Sequence, residues 1–250
     1  ITVMSIGILL LGVSFLLPGP EQDALVRKVL VQADKHYTNR STPGEAEKAI
    51  EGYQKALVLD EMRTEAYWKI AQATLWIGLI SEDDKKKLRI YRDAIEYCKM
   101  AVAIDDDCIE AHFWLGVMYG LFGETKGILQ GLHVIEPVKR EMNWVISRDE
   151  KWNSAGAHRV LGRLYFRVPG IKGGDNQKSI EHLKKAVAIA PDLLDNHVFL
   201  AETYMDEGRY EEAKQHLHRV VKAKNHPVWG PESELSRKNA RDLLKQLEGK

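Results

Sequence analysis

Lys55-Ala56-Leu57-Val58-Leu59-Asp60 returns as Met100-Ala101-Val102-Ala103-Ile104-Asp105 and again as Lys185-Ala186-Val187-Ala188-Ile189-Ala190-Pro191. A helical phrase of this size cannot bury its apolar face alone, so a chain that repeats it must stack the copies side by side. The Ala of each phrase marks where a second helix presses close to its neighbour, and the branched residues after it fill the groove behind. Repetition therefore restricts the fold to an all-α array and points to an extended binding surface rather than a catalytic cleft.

A second set of landmarks gives the period. Tyr37, Ala71, Gly116, Gly162 and Ala201 are the small or aromatic residues expected at the closest crossing of each first helix. They are separated by 34, 45, 46 and 39 residues, read as 34, 34 plus 11, 34 plus 12 and 34 plus 5. Thirty-four residues is the tetratricopeptide period, and the chain resembles that family from Ala24 to about Lys224. The clearest copy is the last, with Leu200-Ala201, Tyr204, Gly208, Tyr210, Ala213 and Leu217 in the family's positions. The third supplies Leu115-Gly116, Tyr119 and Gly123, and the fourth Leu161-Gly162, Tyr165, Leu183, Ala186 and Pro191. The resemblance implies a solenoid of about five helical hairpins over residues 20–224, two of them with lengthened second helices.

The arrangement is also similar to two narrower families: the T component associated with tripartite ATP-independent periplasmic transporters, and the regulators of microtubule dynamics. The residues that carry this are Tyr67-Trp68-Lys69-Ile70-Ala71, Ala111-His112-Phe113-Trp114, His158 through Arg163 with Tyr165-Phe166, and the tail Asn225 to Leu247. The run Val168 to Asp175 leans toward the bacterial family, although no Cys precedes Cys98 to carry that family's lipid. The bacterial likeness implies a small apolar ligand and a transporter subunit as partner.

The extra 11 or 12 residues are close to three turns at about 3.6 residues each, so inserting them inside a helix keeps its apolar stripe on one side. A long helix is expected from Ser81 to Ile104, with Ser81 as N-cap and Leu88, Tyr91, Ile95, Cys98 and Val102 facing inward. A second is expected from Thr125 to Ser147, with Ile128, Leu132, Ile135, Met142 and Val145 inward. Pro137 removes a backbone donor there and predicts a kink or break near Gly131 to Glu136. Each extension overhangs an ordinary repeat by roughly 16–18 Å, so two in succession predict a wall that turns an open groove into a pocket.

Residues 1–19 set the expected compartment. Ile1 to Leu17 is apolar but for Thr2, Ser5, Gly7, Gly12 and Ser14, and Pro18-Gly19-Pro20 ends it. A spanning helix needs about 20 apolar residues and a signal core about 7–15. The run predicts export, either cleaved or kept as an N-terminal anchor in the inner membrane, and a periplasmic or otherwise extracytoplasmic location; the alternative is a buried helix capping the solenoid. Contact with a membrane is expected through this segment alone. Residues 225–250, with Leu235, Leu243, Leu244 and Leu247, read as the helix that caps the last repeat.

The 36 basic and 36 acidic residues cancel, and no segment clusters Lys and Arg with aromatics, which argues against nucleic acid. Gly170 to Asp175 follows no strand and reads as a turn in which Asp175 caps the helix from Asn176. Asp105-Asp106-Asp107 lacks the Gly and distal Glu of a calcium loop and reads as an inter-repeat turn. His216 and His218 are two apart, so they face different ways on a helix and share no metal. Cys98 is expected in the core, and Cys108 at the start of the next helix. No nucleophile elbow or zinc-binding helix is present, so no catalytic residue, cofactor or metal is expected.

The sequence thus predicts a non-enzymatic scaffold that grips a protein or peptide segment on its concave face, with a small apolar-ligand carrier as the alternative. Trp68, Lys69, Gln72, Trp76, Trp114, Tyr119, Arg159, Arg163 and Phe166 are the expected contact residues. For the carrier, Trp76 and Trp114 are expected to face inward.

Overall fold

The computed structural model describes residues 19–127, 131–226 and 228–250, so the apolar segment expected as leader or anchor lies outside the described residues. These residues form eleven α-helices and, among them, no strand. Five hairpins follow in order: α1 (Pro20–Thr38) with α2 (Glu45–Leu59), α3 (Thr64–Ile80) with α4 (Asp84–Ile104), α5 (Ile109–Lys126) with α6 (Ile135–Asp149), α7 (Trp152–Arg167) with α8 (Asn176–Ile189), and α9 (Leu194–Asp206) with α10 (Tyr210–Lys222). A last helix, α11 (Gly230–Gln246), completes the chain. Among the described residues no helix is long and apolar enough to cross a membrane.

The repeated Ala phrases lie where a close crossing requires them. Ala56, Ala101 and Ala186 have no exposed surface. In the fourth hairpin a Cβ on Gly162 would fall 2.5 Å from Leu183 Cγ, and in the third a Cβ on Gly116 would fall 2.3 Å from Met142 Cε. In the first hairpin the crossing is at Ala33, not at Tyr37: a Cβ on Gly52 would lie 2.7 Å from Ala33 Cβ. Six residues, 39–44, join α1 to α2, against three between α9 and α10, and the crossing falls one helical turn before Tyr37. The Tyr37 hydroxyl is buried with no hydrogen-bond partner among the described residues, and burial pushes its pKa up.

The insertions are resolved differently in the two units. Helix α4 is lengthened, at 21 residues against 13 for α10, with Tyr91, Ile95 and Cys98 buried. Its N-cap is Asp83 rather than Ser81, because the Asp83 carboxylate accepts from the Lys85 and Lys86 amides at 2.9 and 3.1 Å. In the third unit no single long second helix forms. The first helix, α5, instead runs 18 residues to Lys126 and stops at Gly127, whose φ of 90° glycine adopts readily. A 3₁₀ turn at Leu132–Val134 follows, and α6 restarts with Pro137 in its first turn, where its missing N–H costs nothing. The break is thus where Pro137 predicted one, and α6, at 15 residues, is no longer than α2. Ile128 lies outside the described residues.

Asp175 accepts from the Gln177 and Lys178 amides, as a helix cap should. The Asp107 amide donates to Asp105 in the inter-repeat turn. Cys98 is fully buried and Cys108 precedes α5, both as free thiols. Burial raises the Cys98 thiol well above its usual range and Cys108 to about 11.

The fourth and fifth hairpins share one buried device. His158 Nδ1 meets His182 Nδ1 at 2.8 Å, and His197 Nδ1 meets His216 Nδ1 at 2.7 Å. One nitrogen of each pair donates and the other accepts, so the pairs are built for neutral imidazoles. Tyr165 stacks on His182 and Tyr204 tilts over His216.

Helix α11 does more than cap. Leu243 and Leu247 close the apolar cluster of α9 and α10, as a terminal cap should. Its other end reaches back across the array: Leu235 packs on the cluster of Ala46, Trp76 and Ile77 in the first two hairpins. Glu232 accepts from Arg40 Nε at 2.9 Å and Nη2 at 2.6 Å. Arg40 also donates to the Val228 carbonyl at 3.0 Å. The solenoid is therefore closed from its last unit to its first.

Candidate binding cavity

The first helices of successive hairpins line the inside of the curve, and there they leave a cavity of about 410 Å³. On α5, Phe113, Val117, Leu121 and Glu124 follow one another at helical spacing and present a single stripe to it, with Trp114 alongside. Beside it α5 carries Gly116, Gly120 and Gly123, of which Gly120 and Gly123 also border the cavity. These glycines let α6 approach closely enough for Val134, Ile135 and Val138 to reach the same space. Helix α7 contributes Val160 and Leu164 together with Arg159, Arg163 and Arg167, and Phe199 of α9 closes the far wall. Leu75 and Leu79 of α3 form one rim, and Trp229 and Glu232 at the start of α11 form the other.

Three of the four arginines around this space have carboxylate partners. Arg163 Nη1 holds Glu202 at 2.5 Å, and Nη2 reaches Glu124 at 3.4 Å. Arg167 pairs with Glu124 at 2.9 Å, and Arg40 holds Glu232. Burial raises the Glu202 pKa despite its arginine. Arg159 differs. Its Nη1 donates to the Ser154 carbonyl and to Asn196 Oδ1, both at 3.3 Å. No described carboxylate forms an ion pair with it, and burial depresses its pKa. The nearest acid it senses is Asp195, which instead accepts a hydrogen bond from the Ser236 hydroxyl.

The backbone behind Arg159 is unusual. Asn153, Ser154 and Ala155 all have positive φ, between 48° and 58°, a left-handed turn that costs roughly 1–2 kcal/mol per residue. It fixes the Ser154 carbonyl on Arg159 and sets Gly156 against the Phe113 ring, where a Cβ would fall 2.5 Å from the ring edge.

Of the nine residues singled out from the sequence, the cavity gathers Trp114, Arg159 and Arg163. Trp76 does not face it: its ring is buried against Ala46, Ile77 and Leu235. Lys69 joins α1 to α3 by ion pairs of 2.8 Å to Asp34 and 2.7 Å to Glu65. Trp68 and Tyr119 pack half-buried on the central cluster, and Gln72 is half-buried on α3. Phe166 borders a separate hollow near Asp175 and Asp206. The elongated α4 contributes nothing to the cavity wall, so the pocket exists but is not built by the long second helices. Phe113, Leu164 and Trp229 were missed because helical spacing does not tell a wall from a core.

Among the described residues no three His, Cys, Asp or Glu side chains gather as a metal site would require.

Stacked hairpins with an inner groove define a tetratricopeptide-repeat solenoid, and solved structures of that class share the fold. The thermophilic TPR protein TTC0263 of Thermus thermophilus superposes with a TM-score of 0.66 at 20% identity, covering 88% of this chain and 98% of that one. PilF of Pseudomonas aeruginosa gives 0.56 at 15%, covering 92% and 95%. Within that class the chain belongs to the family described as regulator of microtubule dynamics protein 1-3, which matches residues 29–248. Regulator of microtubule dynamics protein 1 of Bos taurus is 24% identical over 244 residues, 90% of this chain and 73% of that protein. The Pongo abelii protein of the same name is 25% identical over 240 residues, 88% and 72%.

Proposed function

We propose that this chain is a non-enzymatic binding scaffold, exported or membrane-tethered through residues 1–19, that holds a protein segment along its inner face. The observation that carries the reading is α11 itself: an amphipathic helix with Leu235 in an apolar recess and Glu232 on an arginine already lies against that face. A partner segment of like chemistry can be gripped by the same physics, as helix-in-groove recognition requires. The relatives' name points to the machinery that governs microtubule dynamics as the source of the partner. The fold and the relatives' role as regulators support a scaffold rather than an enzyme, and the apolar run Ile1 to Leu17 supports tethering or export to an extracytoplasmic compartment.

A photo-crosslinking residue in place of Leu79, at the cavity rim, tests the reading against one in place of Val58, which is 87% exposed on α2. One discrete adduct from position 79 and none from position 58 is the expected result. The same adducts from both positions, or none from either, would remove the inner face as the binding surface.

A second reading rests on the cavity beside Trp114. Its volume lies within the roughly 300–1,000 Å³ of small-molecule sites, which favours a small apolar ligand and an accessory role beside a transporter subunit. Mass spectrometry of gently purified protein should then find a stoichiometric apolar molecule, and its repeated absence would count against this reading.

A further inference from the structure

The cavity is mostly apolar, and of the three arginines that line it Arg159 has no ion-pair partner among the described residues. A guanidinium in low-dielectric surroundings is costly unless a negative group and hydrogen bonds answer it. Arg40, Arg163 and Arg167 are answered by glutamates, whereas Arg159 spends only Nη1, on two oxygens at 3.3 Å. Its Nε and Nη2 donate to no described residue. Arg159 is one of the residues that line the cavity.

Arg40 shows what that edge accepts. Its Nε and Nη2 take the two oxygens of Glu232 side by side, at 2.9 and 2.6 Å. The corresponding edge of Arg159 is free, in a chamber walled by Trp114, Val117, Leu121, Val160, Leu164 and Phe199. The left-handed turn at Asn153–Ala155 and the Asn196 amide oxygen hold the guanidinium in place before any ligand arrives.

The geometry points to a binding site for a long-chain carboxylate, its hydrocarbon tail in the cavity and its head group held bidentately by the Nε and Nη2 edge of Arg159. This rests on reading the cavity as a small-ligand site and adds the chemical class of the ligand. Glu124, Asp195 and Glu232 also border the chamber, so a singly charged head group such as a carboxylate is repelled less there than a doubly charged one.

Titration calorimetry with hexadecanoate and with its methyl ester tests both layers. The full chain should bind the acid with a stoichiometry of one and the ester at least tenfold more weakly. Arg159→Gln should bring the acid down to the ester's affinity and leave the ester unchanged, and Arg159→Lys should recover part of the difference, since ammonium keeps the charge without the fork. Gly120→Leu fills the chamber at a helical position where a new Cβ meets nothing closer than 4.0 Å, and should abolish both ligands.

Equal affinity for acid and ester, or acid binding unaffected by Arg159→Gln, would overturn the carboxylate site while leaving the cavity reading intact. Failure of both ligands, or binding that survives Gly120→Leu, would remove both. Should Arg159→Gln not fold, the acid-to-ester comparison on the unmodified chain decides alone.

Discussion

Arg40 and Glu232 stand 192 residues apart in the chain and meet through two parallel hydrogen bonds, with side chains only 4% and 7% exposed. Removing one member leaves a buried charge without an answer, a loss of about 3–5 kcal/mol. Glu232→Gln should therefore lower the urea midpoint markedly. Arg40→Met combined with Glu232→Met should recover most of it, because the penalty is the stranded charge rather than the missing bond. A double variant no better than the single would contradict this.

The histidine pairs predict acid sensitivity. His182 and His216 are pushed down to about 4, first by burial and then by the positive charge their partners His158 and His197 can carry. An unfolded imidazole titrates near 6.5. Between those values the unfolded chain binds more protons, so the stabilisation is complete above pH 6.5 and is lost as pH falls toward 4. Melting temperature should drop across that window, and His182→Gln with His216→Gln should shrink the drop. An unchanged slope in the double variant would assign acid sensitivity elsewhere.

Two glycines of the same helix should respond in opposite directions. At Gly116 a Cβ would collide with Met142 Cε at 2.3 Å and crowd Glu141 Cβ at 3.1 Å, so Gly116→Val should cost about 1–3 kcal/mol through overpacking. At Gly120 there is room, and Gly120→Ala should add roughly 0.5–1 kcal/mol by removing backbone freedom from the unfolded chain. Thermal melts of both variants decide the matter, since equal shifts would mean that the α5–α6 contact is looser than these distances say.

A chain ending at Ala223 would uncover Leu217, Val220 and the other apolar residues that Leu243 and Leu247 cover. Aggregation, or loss of helical circular dichroism on mild heating, is the expected outcome. A melting profile identical to that of the full chain would show that α11 is dispensable to the array.

How far the sequence could be read depended on the range of each signal. Leu200-Ala201, Tyr204 and Gly208 are local, and they placed the last hairpin correctly. Asp175 was identified as a cap because its partners are the next amides in the chain. The whole-turn argument explained why Tyr91, Ile95 and Cys98 stay on one side of α4. Pro137 signalled the break in the third unit, but nothing local fixed the end of α5 at Gly127, because a glycine ends a helix only when the tertiary path needs it to. Ala33 and Tyr37 lie one turn apart on the same face, so periodicity could not choose between them. Trp76 and Trp114 have similar sequence surroundings, yet only one borders the cavity, since facing is set by neighbours the spacing does not name. The Arg40–Glu232 pair was invisible for the plainest reason: two isolated charges far apart in the chain leave no pattern.

A solenoid is ordinarily open-ended, so that units can be added or removed and each end can fray alone. Here the last helix returns to the first hairpin, which fixes the number of hairpins the span can contain. Inserting a sixth would carry α11 beyond reach of Arg40, and losing one would leave it overshooting. The molecule therefore has the mechanics of a buckled belt rather than a stack of tiles, and a tug at either terminus is felt at the other.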